Sequence, residues 1–241
     1  MNLPPNLANS SFSVLIATDS ELIEARTHYA KAPAEKRHRA ADFAYQSSVA
    51  DDFMHKVGLA DQSPPPGSGA VTALAIDPDF APALLTVGTL EYQYGRPEEA
   101  MKYFHKLTAL PCDTVDLVEI IDQAGSFLIG IPDFFRAEQL YAAAAASLPK
   151  CAVFPAAIGY CAAKTGRKPE AVLHARRAAE LDPSSEVLSD LGWSLIEAGE
   201  YGEARKVLND SIALKPENDR ARANLGYLES IQVSSKDCSV L

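Results

Sequence analysis

The feature that most constrains this sequence is a segment that occurs three times. The three similar copies are GRPEEAMKYF from Gly95, GRKPEAVLHA from Gly166 and GEYGEARKVL from Gly199. Each copy has a second glycine seven residues before its first residue and an alanine five residues after it; these positions are Gly88 and Ala100, Gly159 and Ala171, and Gly192 and Ala204. The last two copies begin 33 residues apart, and a period of this length is typical of stacked helix pairs.

The glycines predict how each helix pair is built. A glycine inside a helix costs about 1 kcal/mol relative to alanine, so its recurrence at one register indicates that two helices approach closely there. We expect the upstream glycine of each copy (Gly88, Gly159 and Gly192) to lie on the first helix and to face the alanine of the second helix. The glycine that begins each copy (Gly95, Gly166 and Gly199) should end the first helix. Another unit keeps Gly125 and Ala137 but has Pro132 in place of the helix-ending glycine, which predicts a different turn.

These residues resemble the tetratricopeptide repeat, a helix-turn-helix unit of 34 residues. The resemblance implies an all-α fold, an α-solenoid of tandem helix pairs with an N-terminal helical segment. The expected repeats occupy residues 81–114, 118–151, 152–184 and 185–218, with a capping helix at 219–232, so that the array spans 70–232. The remaining segments are an N-terminal helical segment at 1–62, a Pro/Gly linker at 63–69 and a flexible tail at 233–241.

Two helices are predicted in the N-terminal segment. Thr18 to Glu21 fit a capping box that begins the first helix, and the second helix runs from about residue 34 to residue 57. One side of this second helix carries an apolar stripe, formed by Ala40, Phe43, Ser47, Ala50, Met54 and Val57. We expect this stripe to pack on the array or on a partner, with docking on the first repeat favoured.

Composition limits the class of partner. The formal net charge of −10 disfavours nucleic acid and anionic membranes, which attract cationic surfaces, and leaves basic or apolar polypeptides as the expected partners. No apolar run approaches the roughly 20 residues that a membrane span needs. The amino-terminal stretch lacks the basic and apolar regions of a secretory signal, so a cytoplasmic protein is expected.

Reactive side chains do not form a catalytic or metal-binding pattern in the sequence. The four cysteines show no C-x-x-C spacing and the five histidines are scattered, so we expect no metal, no cofactor and no enzyme activity. The last four residues, beginning at Cys238, fit the prenylation pattern. They have no polybasic run or second lipid site beside them, and an unmodified polar tail is the favoured alternative.

The resemblance implies a scaffold or adaptor that binds a polypeptide partner in the concave groove of the repeats. A dedicated chaperone for a secreted protein and a regulatory subunit of an enzyme complex remain open as alternatives. First helices line the groove in this family, and the positions that follow each register glycine are Thr89, Ser126, Tyr160, Trp193 and Tyr227. Neighbouring groove positions are Tyr92, Asp122, Ser189 and Glu197. We expect the rings to anchor the partner and the carboxylates to attract its Lys or Arg side chains, with packing between repeats as the alternative role of each ring.

Overall fold

A computed structural model describes residues 11–12, 16, 19–56 and 67–237. No described residue is in a β-strand, and the predicted all-α class is confirmed. The helices with defined bounds are α1 (Ser20–Tyr29), α2 (Ala34–Lys56), α3 (Ser68–Ile76), α4 (Ala81–Gln93), α5 (Pro97–Thr108), α6 (Leu117–Gly130), α7 (Phe134–Ser147), α8 (Val153–Lys164), α9 (Lys168–Leu181), α10 (Ser185–Ala198), α11 (Tyr201–Leu214) and α12 (Asp219–Asp237).

The chain divides into two compact units, Met1–Phe127 and Leu128–Leu241. The division falls inside α6 and therefore inside the repeat that was expected at 118–151. Two expected boundaries also differ from the helix bounds. Helix α3 begins at Ser68, within the expected linker, and α12 continues to Asp237, beyond the expected start of the tail.

The first unit contains two helix pairs, α2 with α3 and α4 with α5, and α1 packs on α3. The hydroxyl groups of Tyr45 on α2 and Thr86 on α4 are hydrogen-bonded at 2.9 Å. The carboxylate of Glu91 is fully buried, where it pairs with Arg96 and accepts a hydrogen bond from the backbone N–H of Phe12. The N-terminal helices therefore belong to the same compact unit as the α4–α5 pair.

The apolar stripe of α2 is not covered by the first repeat, which was the favoured of its two expected roles, and Val57 lies outside the described residues. Phe43 is 75% exposed and Met54 is 40% exposed, whereas Ala41 is fully buried and Ser48 accepts a hydrogen bond from the backbone N–H of Gly69 on α3. At about 100° per residue, Ala41 and Ser48 lie on the side of the helix opposite Phe43. Small side chains on that side allow the backbone of α3 to approach closely, which large side chains would prevent.

The second unit contains the pairs α8 with α9 and α10 with α11, with α7 packed on α8 and α12 packed on α10 and α11. Its C-terminal core joins α10, α11 and α12 through buried side chains that include Leu195, Leu208 and Leu228. Helix α12 thus completes a hydrophobic core, which is the function expected of a capping helix.

The register glycines mark close helix contacts, but their partners differ from the prediction. A Cβ at Gly159 would lie 3.1 Å from the carbonyl oxygen of Ala171, as expected of a glycine that faces alanine. At Gly88 and Gly192 the added Cβ would instead meet the side chains of Phe104 and Leu208. The missing side chain therefore makes room for a large core residue in two of the three pairs.

The glycines expected to end the first helices have left-handed backbones. Their φ angles are +77° at Gly95, +80° at Gly166 and +83° at Gly199, a conformation that glycine adopts at little cost. At the end of α10, the N–H groups of Gly199 and Glu200 donate to the carbonyl oxygens of Ile196 and Leu195. Such bonds satisfy carbonyl groups that a helix leaves without intrahelical partners.

Candidate partner-binding groove

Three of the candidate aromatic side chains lie at the surface of the second unit. Tyr160 on α8 is 46% exposed, Trp193 on α10 is 38% exposed and Tyr227 on α12 is 48% exposed. The rings of Trp193 and Tyr227 are in contact, with centroids 5.6 Å apart and planes inclined by 39°. The repeat period places these rings at corresponding positions of α8, α10 and α12, the alternate helices of the array.

A cavity of about 460 Å³ opens between α8 and α10, and we refer to it as the groove. Part of its lining consists of small residues from α8 and α9, which are Ala156, Gly159, Ala163, Ala175 and Ala178. The rings of Tyr160 and Trp193 also line it. Small side chains and two large rings together give a concave, mainly apolar surface with room for a side chain from another molecule.

Charged side chains lie at both ends of the groove. Asp190 and Arg220 line one end, where they form an ion pair at 3.1 Å. Lys164 and Glu197 line the other end, at the last turns of α8 and α10. The Nζ atom of Lys164 lies 5.1 Å from the centroid of the Tyr160 ring, within the range of a cation–π interaction.

The acidic groups of α10 differ in their surroundings. Partial removal from water raises the pKa of Asp190, as does the nearby Glu186, while Arg220 opposes both effects. The pKa of Glu186 is lowered, chiefly by the hydrogen bond from Lys215, whose ammonium lies 2.6 Å away. Both carboxylates therefore have a cationic neighbour. Among the described residues, no ion pair involves Glu197.

The structure brings some of the predicted site residues together and separates others. Tyr160, Trp193 and Glu197 line the groove, and Tyr227 adjoins it through Trp193. Tyr92, Asp122 and Ser126 belong to the other unit. There, Tyr92 packs against Phe127 with ring centroids 5.7 Å apart, Thr89 and Asp122 are half-buried and Ser126 is exposed. Cys238 lies outside the described residues.

The prediction that Ser189 lines the groove needs correction, because its side chain is fully buried and cannot contact a partner from the groove. The side-chain amide of Asn224 on α12 donates to its carbonyl oxygen at 3.4 Å and to its hydroxyl at 3.3 Å. Ser189 therefore lies on the side of α10 that packs against α12. One residue further along, Asp190 is on the exposed side and lines the groove.

Several groove residues were not among the sequence candidates. Lys164 occupies the position 33 residues before Glu197, so applying the repeat period to Glu197 would have identified it. Arg220 and Asn224 come from α12 and lie 34 residues after Glu186 and Asp190. Neither is aromatic or acidic itself, so the criteria that selected the candidates did not include them. Their contribution depends on how α12 packs.

The chain resembles known proteins in its repeat pattern and in its fold. Residues 189–229 match the family model of the tetratricopeptide repeat, while no curated protein sequence matches the chain. Among solved structures, PilF of Pseudomonas aeruginosa is 18% identical with a TM-score of 0.52, over 85% of this chain and 90% of PilF. YrrB, a tetratricopeptide-repeat protein with an unusual peptide-binding site, is 18% identical with a TM-score of 0.51, over 89% of this chain and 97% of YrrB. At these identities the likeness concerns the fold.

None of the helices in the described part of the chain combines the length and apolar character that crossing a membrane requires. Within the same residues, no group of three or more His, Cys, Asp or Glu side chains is placed to hold a metal ion.

Proposed function

Since the chain is a tetratricopeptide-repeat protein, we propose that it acts as a scaffold or adaptor that binds a segment of another polypeptide in the groove of its second unit. The observation that carries this proposal is the pairing of exposed aromatic rings with an apolar cavity. Tyr160 and Trp193 line a concave surface, and aromatic side chains in such positions often dominate the binding energy of an interface.

Packing between repeats is the competing role of these rings. The contact between Trp193 and Tyr227 shows that the rings do contribute to packing between α10 and α12. More than a third of each ring-bearing residue nevertheless remains exposed, on a surface that also includes the groove. The peptide-binding site of YrrB supports the proposal that this fold can hold a peptide.

The expected character of the partner follows from charge. A net charge of −10 favours a basic or apolar segment by charge complementarity. No specific observation favours a dedicated chaperone or a regulatory subunit over a general scaffold, and a cytoplasmic location remains a prediction from the sequence. The proposed activity is binding, without a catalytic step.

The test uses peptides selected from a random display library against the full chain. Trp193 is the single tryptophan of the sequence, so its fluorescence reports directly on occupation of the groove. Trp193→Ala should weaken the selected peptides by about 2 kcal/mol, as removal of an interface anchor typically does. Because this variant loses the fluorescent group, its affinity is measured by calorimetry.

Tyr201→Ala provides the matched control. Tyr201 is 40% exposed on α11 and does not line the groove, so its replacement should leave peptide affinity unchanged. Thermal unfolding of both variants separates folding from binding. A lower melting temperature of Trp193→Ala with unaltered peptide affinity would assign Trp193 to packing and contradict the proposal.

A further inference from the structure

We propose that the end of the groove formed by Trp193 and Glu197 is a subsite for one Lys or Arg side chain of the bound polypeptide. This inference rests on the proposed function, because it concerns a segment bound in the same groove. Trp193 and Glu197 are separated by four residues on α10, and residues at this spacing are neighbours on a helix surface. Both line the groove, so an indole ring and a carboxylate border the same space.

The other acidic groups near the groove already have cationic partners. Arg220 pairs with Asp190, Lys215 pairs with Glu186, and Arg176 pairs with Glu200 at 2.7 Å. In the described part of the chain, Glu197 is in no ion pair and its side chain is exposed. A cation from a partner would therefore find at Glu197 a carboxylate that is not already neutralised.

The end of α10 strengthens the preference for a cation. Glu197 is the penultimate residue of this helix, and a helix C-terminus carries a partial negative charge that favours cations within its last turn. The indole ring contributes through its π face, which attracts Lys and Arg at about 0.5–1 kcal/mol in exposed sites. Carboxylate, helix end and ring thus favour the same sign of charge.

The positive charge of Lys164 restricts the subsite to the Trp193 side of the groove. Its ammonium lies over the Tyr160 ring on the α8 side of the groove, and it forms no ion pair with a described residue. A second cation is therefore disfavoured on the Tyr160 side and favoured on the Trp193 side. The two substitutions should therefore change the affinity for a cationic peptide in opposite directions. Removing the charge of Lys164 should raise this affinity, and removing the charge of Glu197 should lower it.

The experiment selects random dodecapeptides on the full wild-type chain and, in parallel, on Glu197→Gln. Wild type should enrich peptides with a Lys or Arg near an apolar residue, and Glu197→Gln should show a weaker basic preference but keep the apolar one. Glu180→Gln makes the same substitution at an exposed residue of α9 outside the groove, and it should behave as wild type. Thermal unfolding checks that all variants are folded.

The strongest wild-type peptide is then compared with an analogue in which norleucine replaces its basic residue. Fluorescence of Trp193 should show that the analogue binds wild type about fivefold more weakly, as expected for an exposed charge pair beside an aromatic ring. The difference between the two peptides should be clearly smaller on Glu197→Gln, where only the indole ring and the helix end still favour the cation. Lys164→Met should tighten the basic peptide and leave the norleucine analogue nearly unchanged.

The outcomes distinguish the subsite from the groove itself. Peptides that require Trp193 but show no basic preference, or keep it undiminished on Glu197→Gln, overturn the cation subsite and leave the polypeptide groove standing. Selection of acidic peptides on wild type overturns it in the same way. Failure of wild type to enrich any peptide contradicts both the subsite and the proposed function.

Discussion

Among single residues, Gly192 leaves the room that Leu208 occupies in the core of the second unit. A Cβ at this position would lie 2.5 Å from Cδ2 and 2.6 Å from Cγ of Leu208, and Leu208 is fully buried. Its side chain cannot move aside without disturbing its neighbours, because protein interiors are close-packed. The glycine is thus required by packing at a place where the backbone itself is ordinary helix.

Gly192→Leu should lower the free energy of unfolding by about 3 kcal/mol, toward the upper end of the usual cost of overpacking a core. Chemical denaturation followed by circular dichroism measures this change. Gly202→Ala is the control, since a Cβ there meets no atom within 4 Å and alanine favours the helix. Equal stability of wild type and Gly192→Leu would contradict the packing role of the register glycine.

At the scale of helices, Arg167 joins the turn between α8 and α9 to helix α7. Its guanidinium donates to both carboxylate oxygens of Glu138 on α7 and pairs with Glu170 on α9 at 2.8 Å. The hydrogen bond from Arg167 lowers the pKa of Glu138, while partial burial opposes this effect. One side chain therefore connects the α8–α9 turn to α7 and to the first turn of α9.

The lowered pKa of Glu138 predicts a dependence of stability on pH. A carboxylate whose pKa is lower in the folded state than its ordinary value of 4.5 stabilises the fold above that value, and the stabilisation is lost as pH falls through the folded pKa. Glu138→Gln should be less stable than wild type at neutral pH, and the difference should shrink as the solution is acidified below about pH 4.5. Melting temperatures measured from neutral to acidic pH test this expectation.

Glu217→Gln is the matched control for the pH series, because Glu217 is an exposed residue of the loop before α12. Its melting temperatures should follow those of wild type at every pH. A constant difference between wild type and Glu138→Gln across the series would contradict the role assigned to the pair with Arg167.

At the scale of the whole molecule, the second unit is closed at its C-terminal end by α12. Ala221 and Leu228 of this helix are fully buried in the same core as Leu195 and Leu208. The side chain of Asn218 supports the start of the helix, since its oxygen accepts from the N–H of Ala221 and its amide donates to the buried hydroxyl of Ser185 at 2.8 Å. Apolar and polar contacts both hold the capping helix in place.

Truncation after Asn218 should expose the apolar surface that α12 covers, and helical-repeat proteins need a polar surface on their terminal unit to remain dispersed. The truncated chain should aggregate and melt at a lower temperature than wild type, as measured by light scattering and thermal unfolding. Truncation after Asp237 keeps the whole of α12 and serves as the control. A dispersed protein of unchanged stability after removal of α12 would show that this helix is not a cap.

The sequence by itself determined the helix pairs and the register that places Tyr160 and Trp193 at equivalent positions of their helices. Glycine at left-handed turns such as Gly199 and the 33-residue spacing of Tyr160 and Trp193 express preferences of the local backbone and of helix periodicity, which do not depend on distant contacts. For the same reason the all-α class could be predicted from the amino-acid sequence alone, whereas the exposure of the three rings was expected only from the family resemblance, in which first helices line the groove.

Tertiary structure alone decided which neighbour each side chain meets. Ser189 was expected in the groove but is buried against α12, and Phe43 was expected in a contact but faces solvent, because helix periodicity defines the sides of a helix without stating which side is covered. The contribution of Arg220 to the groove and its pairing with Asp190 likewise depend on how α12 packs, as does the lack of an ion pair at Glu197 among the described residues. Sequence periodicity carries no information on contacts between helices. These contacts therefore decided which charged side chains border the groove and which of them are paired.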